Sequence, residues 1–255
     1  MNGKGGTGKT TIAALVVAHL AANRKGSVLA IDADPNSCLA DALGVRSAQT
    51  IVGVCEEISK ELGKIPSGVT KDRLIEMRVQ ESLTEEPGFD LLVMGRPEGP
   101  GCYCYVNNLL RDIVGRITKA YDYVVIDNAA GMEHISRRTM GVIDKLILVS
   151  DYSAGGVRSA KRIFDLARDM KIKIGAASLI VNRVDGPISK LADEIGSSGL
   201  TVAGEVPYSE ELVKRSLSNL PVFGLSDAGI KGEIAGIFER LTEKEDAGRA
   251  CKRKV

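Results

Sequence analysis

Short apolar, β-branched runs alternate along this chain with longer stretches of helical periodicity. Val28-Leu29-Ala30-Ile31-Asp32 predicts a strand, and so do Phe89 to Met94, Tyr123 to Asp127, Lys145 to Ser150, Ala176 to Asn182 and Thr201 to Val206. Several of these runs are almost continuously apolar, as a parallel sheet covered on both faces requires. Between them, helices are expected at about Lys9–Asn23, Val106–Lys119, Gly155–Met170, Pro187–Gly196 and Lys231–Lys244. This alternation predicts an α/β fold, a doubly wound, mainly parallel sheet flanked by helices. Thr50 to Pro87 is less regular, with Gly and Pro interruptions, and reads as helices and loops laid beside the sheet. One domain over residues 1–244 is therefore expected, with 245–255 as a frayed tail.

Composition narrows the class of protein. The chain has 255 residues, 44% hydrophobic and 26% charged, enough to bury a core without disulfides. Aromatic residues are only 4% and Trp is absent, which argues against stacking platforms for single-stranded nucleic acid. A formal net charge of +1 argues against a strong field directed at DNA or an anionic membrane. No apolar run reaches the length of a membrane span. The five cysteines are an odd number without a secreted spacing, so a reducing, cytoplasmic setting is expected.

Gly3-Lys4-Gly5-Gly6-Thr7-Gly8-Lys9-Thr10 fits G-x-x-x-x-G-K-[ST] and is followed by a helical pattern. Glycines at these spacings let backbone N–H groups curl around phosphates. Lys9 then reaches the β- and γ-phosphates, the Thr10 hydroxyl is offered to Mg²⁺, and the helix dipole favours the same anions. Such a loop ordinarily follows a buried strand, yet only Met1 and Asn2 precede Gly3. About five or six apolar residues are missing there, and a start downstream of the protein's own is expected.

Two strands end in acids. Val28–Asp32 runs into Ala33-Asp34-Pro35-Asn36, and Tyr123-Val124-Val125-Ile126-Asp127 into Asn128-Ala129-Ala130-Gly131. Carboxylates at strand C-terminal ends lie beside the ligand crevice of such sheets. Asp127 fits the Walker B position, holding Mg²⁺ through water. For Asp34, capping a helix that starts near Ser37 is the structural alternative. Asp32 reads equally as structural or functional. No guanine-reading Asn-Lys-x-Asp is present, so ATP is expected over GTP.

Gly101-Cys102-Tyr103-Cys104 precedes a helical pattern. Cysteines one residue apart cannot easily form a relaxed disulfide with each other, but they can present two thiolates together. Two copies across a dimer axis would supply four, enough to close a tetrahedral site for Ni²⁺ or Zn²⁺, or to hold an iron–sulfur cluster. Two ordinary loop cysteines are the plainer alternative.

The run Lys4-Gly-Gly-Thr-Gly-Lys-Thr-Thr11 resembles the signature-lysine P-loop ATPases. These include the Min and Par positioning ATPases, the nitrogenase iron protein and metallocentre maturation ATPases. The resemblance implies that Thr11 belongs to the nucleotide site and that Lys4 reaches across a homodimer to the partner's nucleotide. It makes Asp34 the residue that positions the attacking water, and Gly131 the glycine that swings toward the γ-phosphate. It also makes Asn182 the adenine contact and Pro207-Tyr208 the loop over the base. Gly-Cys-Tyr-Cys, Asp34-Pro-Asn-Ser-Cys38-Leu39 and Asp127-Asn-Ala-Ala-Gly-Met-Glu-His134 further resemble the nickel-inserting accessory ATPases of carbon monoxide dehydrogenase and acetyl-CoA synthase. That branch implies Cys102 and Cys104 as metal ligands, such an enzyme as client, and neither nucleic acid nor membrane as partner. An iron–sulfur carrier or reductase and a positioning ATPase are the rival readings. Cys38 is expected to be buried and His19 half-buried. Glu133 and His134 are either a relay between nucleotide and metal or the start of a surface helix.

Overall fold

The computed structural model describes residues 1–46, 49–60, 70–95, 113–130 and 142–249. Every strand expected from the apolar runs is present. These are β1 (Val28–Ala33), β3 (Phe89–Val93), β4 (Tyr123–Asn128), β5 (Val142–Asp151), β6 (Lys173–Val184) and β7 (Thr201–Pro207). A short edge strand, β2 (Thr84–Glu86), pairs antiparallel with β3 through the Pro87-Gly88 turn, where Gly88 takes a φ of 93°. Pro followed by a positive-φ glycine is the chemistry of a type II turn. All other strand pairings among the described residues are parallel, in the orders β2-β3-β1-β4 and β5-β6-β7.

Met1 and Asn2 join the two sheet halves, in the place where a strand leading into the loop is expected. The Met1 amino group donates to the Ile126 carbonyl and the Asn128 N–H donates to the Met1 carbonyl. On the other side, Asn2 bridges Leu148 in parallel, exchanging bonds of 2.8 Å with the Ile147 carbonyl and the Val149 N–H.

Alternate strand residues face opposite layers, as the pleat dictates. Val28, Ala30, Leu91, Val93, Val149 and Ile180 meet helix α1 (Lys9–Ala22) and the last helix, α8 (Ala228–Arg249). Leu29, Ile31 and Leu92 turn the other way, onto α3 (Ile51–Lys60), α4 (Lys71–Glu81) and the helical residues 113–117. Under the other half-sheet, Leu146, Leu148, Leu179 and Val181 pack on α5 (Ala154–Asp169). Ile12 on α1 is fully buried, and its loss to alanine costs about 2–5 kcal/mol in such a core.

Helices lie beside the sheet as expected, and three other stretches depart from the sequence reading. Between Thr50 and Pro87 lie α3, with Ile51, Val54, Cys55 and Ile58 inward at helical spacing, and α4, with Ile75 and Val79 inward. Pro187–Gly196 is a 3₁₀ turn over Ile188–Leu191 followed by α6 (Ala192–Ser198). A helix α7 (Glu210–Leu217), not foreseen, follows β7; Ser209 caps it, accepting from the Leu212 N–H at 3.4 Å. α8 continues to Arg249, into the stretch expected to fray.

Candidate active site at the carboxyl ends of the strands

The phosphate loop lies over the sheet's carboxyl edge because its glycines permit contacts that no side chain would. A Cβ on Gly3 would fall 2.3 Å from the Val149 carbonyl oxygen. One on Gly8 would fall 2.3 Å from Asn182 Nδ2, and Gly8 also takes a φ of 87°. The Lys4 carbonyl gathers the loop, accepting from Thr7 Oγ1 at 3.0 Å and Lys9 Nζ at 3.3 Å. Lys9 is buried, whereas Lys4, Gly5 and Gly6 are exposed. Gly8 offers α1 no side-chain cap. The first amides of this 14-residue helix, at Lys9, Thr10 and Thr11, thus stand where an anion is electrostatically favoured.

Thr10 Oγ1 donates to Asp127 Oδ2 at 2.5 Å, joining the loop to the end of β4. The other oxygen, Asp127 Oδ1, is buried and has no hydrogen-bond partner. Burial raises the Asp127 carboxyl above its usual range, with the Thr10 hydroxyl and the Lys9 ammonium opposing. A buried, unpaired carboxylate oxygen beside a hydroxyl is a hard-oxygen donor set, and it fits Mg²⁺.

Asp32 and Asp34 divide two roles that the sequence left open. Asp32, fully buried, pairs in register with Asp127. Its Oδ2 accepts from the Leu39 and Ala40 N–H groups at 2.8 and 3.3 Å, and its Oδ1 from the Asp34 N–H at 3.1 Å. These are the second and third residues of α2 (Cys38–Leu43), so Asp32 does from the strand what an N-cap side chain ordinarily does. Ser37, the residue at the cap position, is left-handed with φ 53° and makes no side-chain cap. Burial pushes Asp32 up to about 6 against these amides. Asp34 does not cap the helix. It is half-buried, and its Oδ1 accepts from the Asn36 N–H at 2.9 Å and Asn36 Nδ2 at 3.0 Å, a local turn just past the carboxyl end of β1.

Asn182 is buried at the end of β6, in register with Asp151, and donates from Nδ2 to the Thr7 carbonyl at 2.9 Å. Its side chain is thus tied to the phosphate loop. The next residue, Arg183, donates from a guanidinium nitrogen to the Gly6 carbonyl at 3.1 Å. Sequence reasoning assigned Arg183 nothing, because only its left-handed backbone, φ 56°, reveals the turn toward the loop. Pro207 ends β7, and Tyr208 follows it, 53% exposed.

Cys102, Cys104, Gly131, Glu133 and His134 lie outside the described residues. Among the described residues, no group of three or more His, Cys, Asp or Glu side chains could hold a metal ion. None of their helices is long and apolar enough to cross a membrane. Cys38 is exposed, contrary to expectation: as first residue of α2 it points outward, while Leu39 and Ala40 fill the core. His19 is half-buried as expected, its ring 5.4 Å from that of Phe238.

A glycine-rich loop leading into a helix, a lysine folded into it and a hydroxyl–carboxylate pair beneath it define a P-loop ATPase. The model of the CobQ/CobB/MinD/ParA nucleotide binding domain matches residues 1–222, and the chain belongs to that family. It is 39% identical to an uncharacterised ATP-binding protein of Methanocaldococcus jannaschii, over 96% of each chain. It is 29% identical to the carbon monoxide dehydrogenase accessory protein CooC of Rhodospirillum rubrum, over 89% of this chain and 90% of the relative. MinD of Aquifex aeolicus, solved in its MinC:MinD cell division complex, superposes with a TM-score of 0.72 at 23% identity, covering 95% and 93% of the two chains. That last likeness is one of fold.

Proposed function

We propose that this ATPase is a metallochaperone. ATP binding closes a homodimer around a metal held by Cys102 and Cys104 of both copies, and hydrolysis releases the metal or resets the dimer. Nickel is the favoured cargo and a carbon monoxide dehydrogenase or acetyl-CoA synthase the client. The observation that carries the ATP half is the Thr10–Asp127 pair with its unpaired buried oxygen, set beneath the loop that Lys9 closes. The cargo half is supported by the Cys-x-Cys sequence and by the similarity to the carbon monoxide dehydrogenase accessory protein CooC.

Within this reading each residue has a task. Gly3, Gly5, Gly6, Thr7, Gly8 and the first turn of α1, including Thr11, present backbone N–H groups to the phosphates. Lys9 neutralises charge developing between the β- and γ-phosphates, and Lys4, exposed at the loop's tip, does the same for the partner's nucleotide. Thr10 and Asp127 hold Mg²⁺, which when bound offsets the phosphate charge. Asp34 orients the attacking water, Gly131 couples the γ-phosphate to the following segment, and Asn182, Pro207 and Tyr208 enclose the adenine.

The test is the double variant Cys102→Ser/Cys104→Ser. It should lose metal binding and keep ATP hydrolysis; loss of both together would contradict a separate cargo site. A positioning role is the second reading, favoured by 26% identity to the septum site-determining protein MinD of Bacillus subtilis. Strong ATP-dependent sedimentation with lipid vesicles or DNA would support it.

A further inference from the structure

Arg183 carries a conformation that its residue type does not favour. Between β6 and β7, Asn182 pairs with Val206 and Val184 with Pro207, so Arg183 is the extra residue of a β-bulge. Its φ of 56° is left-handed, the region where glycine is ordinarily found at such bulges. A bulge beside a site re-aims a side chain, and this one turns the exposed Arg183 onto the loop, 3.1 Å from the Gly6 carbonyl. Its neighbour Asn182 holds the very next carbonyl, that of Thr7, at 2.9 Å. Two successive residues of one strand end thus hold two successive peptides of the phosphate loop.

In a trans peptide the carbonyl and the following N–H point in opposite directions. Fixing the Gly6 and Thr7 carbonyls toward β6 therefore fixes the Thr7 and Gly8 N–H groups away from it. Within the loop the Thr7 N–H makes only a long bond, 3.5 Å to the Lys4 carbonyl, and an anion would compete for it readily. Gly6 itself has a φ of 80°, and nothing lies within 4 Å of where its side chain would begin, so no side-chain packing at Gly6 holds that peptide.

We propose that Arg183 is a positioning residue for nucleotide. Its guanidinium holds the Gly6 peptide so that the loop's N–H groups, and the exposed Lys4 just before them, are arranged for phosphate before ATP arrives. The inference rests on ATP binding by this loop and is independent of any metal cargo.

The test uses the full chain and two substitutions. Arg183→Gly keeps the left-handed backbone and relieves it, but removes the guanidinium. It should bind a fluorescent ATP analogue about tenfold more weakly and raise KM for ATP correspondingly, the scale of one charge-assisted hydrogen bond. Its melting temperature should stay level or rise. Arg183→Lys restores a cationic donor and should recover part of the affinity. Unchanged nucleotide affinity and KM in Arg183→Gly would overturn the proposal. So would a fall in affinity that came with a lower melting temperature, because the side chain would then be supporting the fold. A lysine variant no better than the glycine variant would overturn the role of the donor.

Discussion

Thr10 Oγ1 and Asp127 Oδ2 stand 2.5 Å apart across 117 positions of sequence. The contact ties the first turn of α1 to the end of β4, and it leaves Asp127 Oδ1 buried without a partner. Removing either group should weaken Mg²⁺ without dismantling the phosphate loop, whose shape depends on the Lys4 carbonyl and Asn182. In Thr10→Ala and Asp127→Asn, the Mg²⁺ concentration needed for half-maximal hydrolysis should rise roughly ten- to a hundredfold. Titrating activity with Mg²⁺ checks this. An unchanged midpoint would mean that the pair is structural.

Asp34 is held by Asn36 and does not cap α2, since Asp32 takes that part. Asp34→Asn should therefore keep ATP affinity and stability while kcat falls by about 10² or more, the range for a lost general base or water-orienting group. Single-turnover hydrolysis beside equilibrium nucleotide binding separates the two effects. Parallel loss of binding and turnover would oppose the assignment.

Asp32 gives the fold a pH dependence of defined sign. Its folded value of about 6 lies above the ordinary 3.8 because burial disfavours the charged form. The folded state therefore holds a proton that the unfolded state has lost between these values. The stability this group contributes is full below about 4, falls as pH rises toward 6, and is level above. In urea unfolding without nucleotide or Mg²⁺, the stability of wild type relative to Asp32→Asn should decline across that window. A rising difference would mean that the three amide donors outweigh burial and hold the carboxylate ionised.

Glu211 and Asp227 join the starts of α7 and α8. Glu211 accepts from the Ser226 N–H and hydroxyl and the Asp227 N–H, while Asp227 accepts from Ser209 Oγ and the Ile230 N–H. These bonds, the Ser226 N–H foremost for Glu211 and the Ile230 N–H for Asp227, hold both carboxyls below their usual values. Their stabilisation is present above the ordinary carboxylate pKa and is lost as pH falls through the lowered ones. Glu211→Gln should lower the melting temperature at pH 7 and make little difference at pH 3. Equal effects at both would contradict the charge-dependent clamp.

The sheet was legible in the sequence because buried parallel strands leave nearly continuous apolar runs, and Val28–Ala33 and Tyr123–Asn128 needed only that signal. Gly3 to Thr10 was legible because its glycines satisfy contacts with Val149 and Asn182 that admit nothing larger. Helices beside the sheet were legible between Thr50 and Pro87, but their bounds were not, since nearby Gly and Pro obscure the period that Ile51, Val54, Cys55 and Ile58 keep. The part played by Asp32 lies in contacts with Leu39 and Ala40 around a left-handed Ser37, which no local pattern announces. Arg183 was invisible for the same reason, its direction being set by a bulge.

In the proposed function, one scaffold couples ATP to a bridging dithiol metal site. The most direct measurement is metal, iron and acid-labile sulfide per protomer, on protein purified without oxygen and offered Ni²⁺, with and without a non-hydrolysed ATP analogue. About one nickel or zinc per two chains is expected, without sulfide, in a dimer that the nucleotide tightens. Iron with stoichiometric sulfide, or no metal in either state, would contradict it.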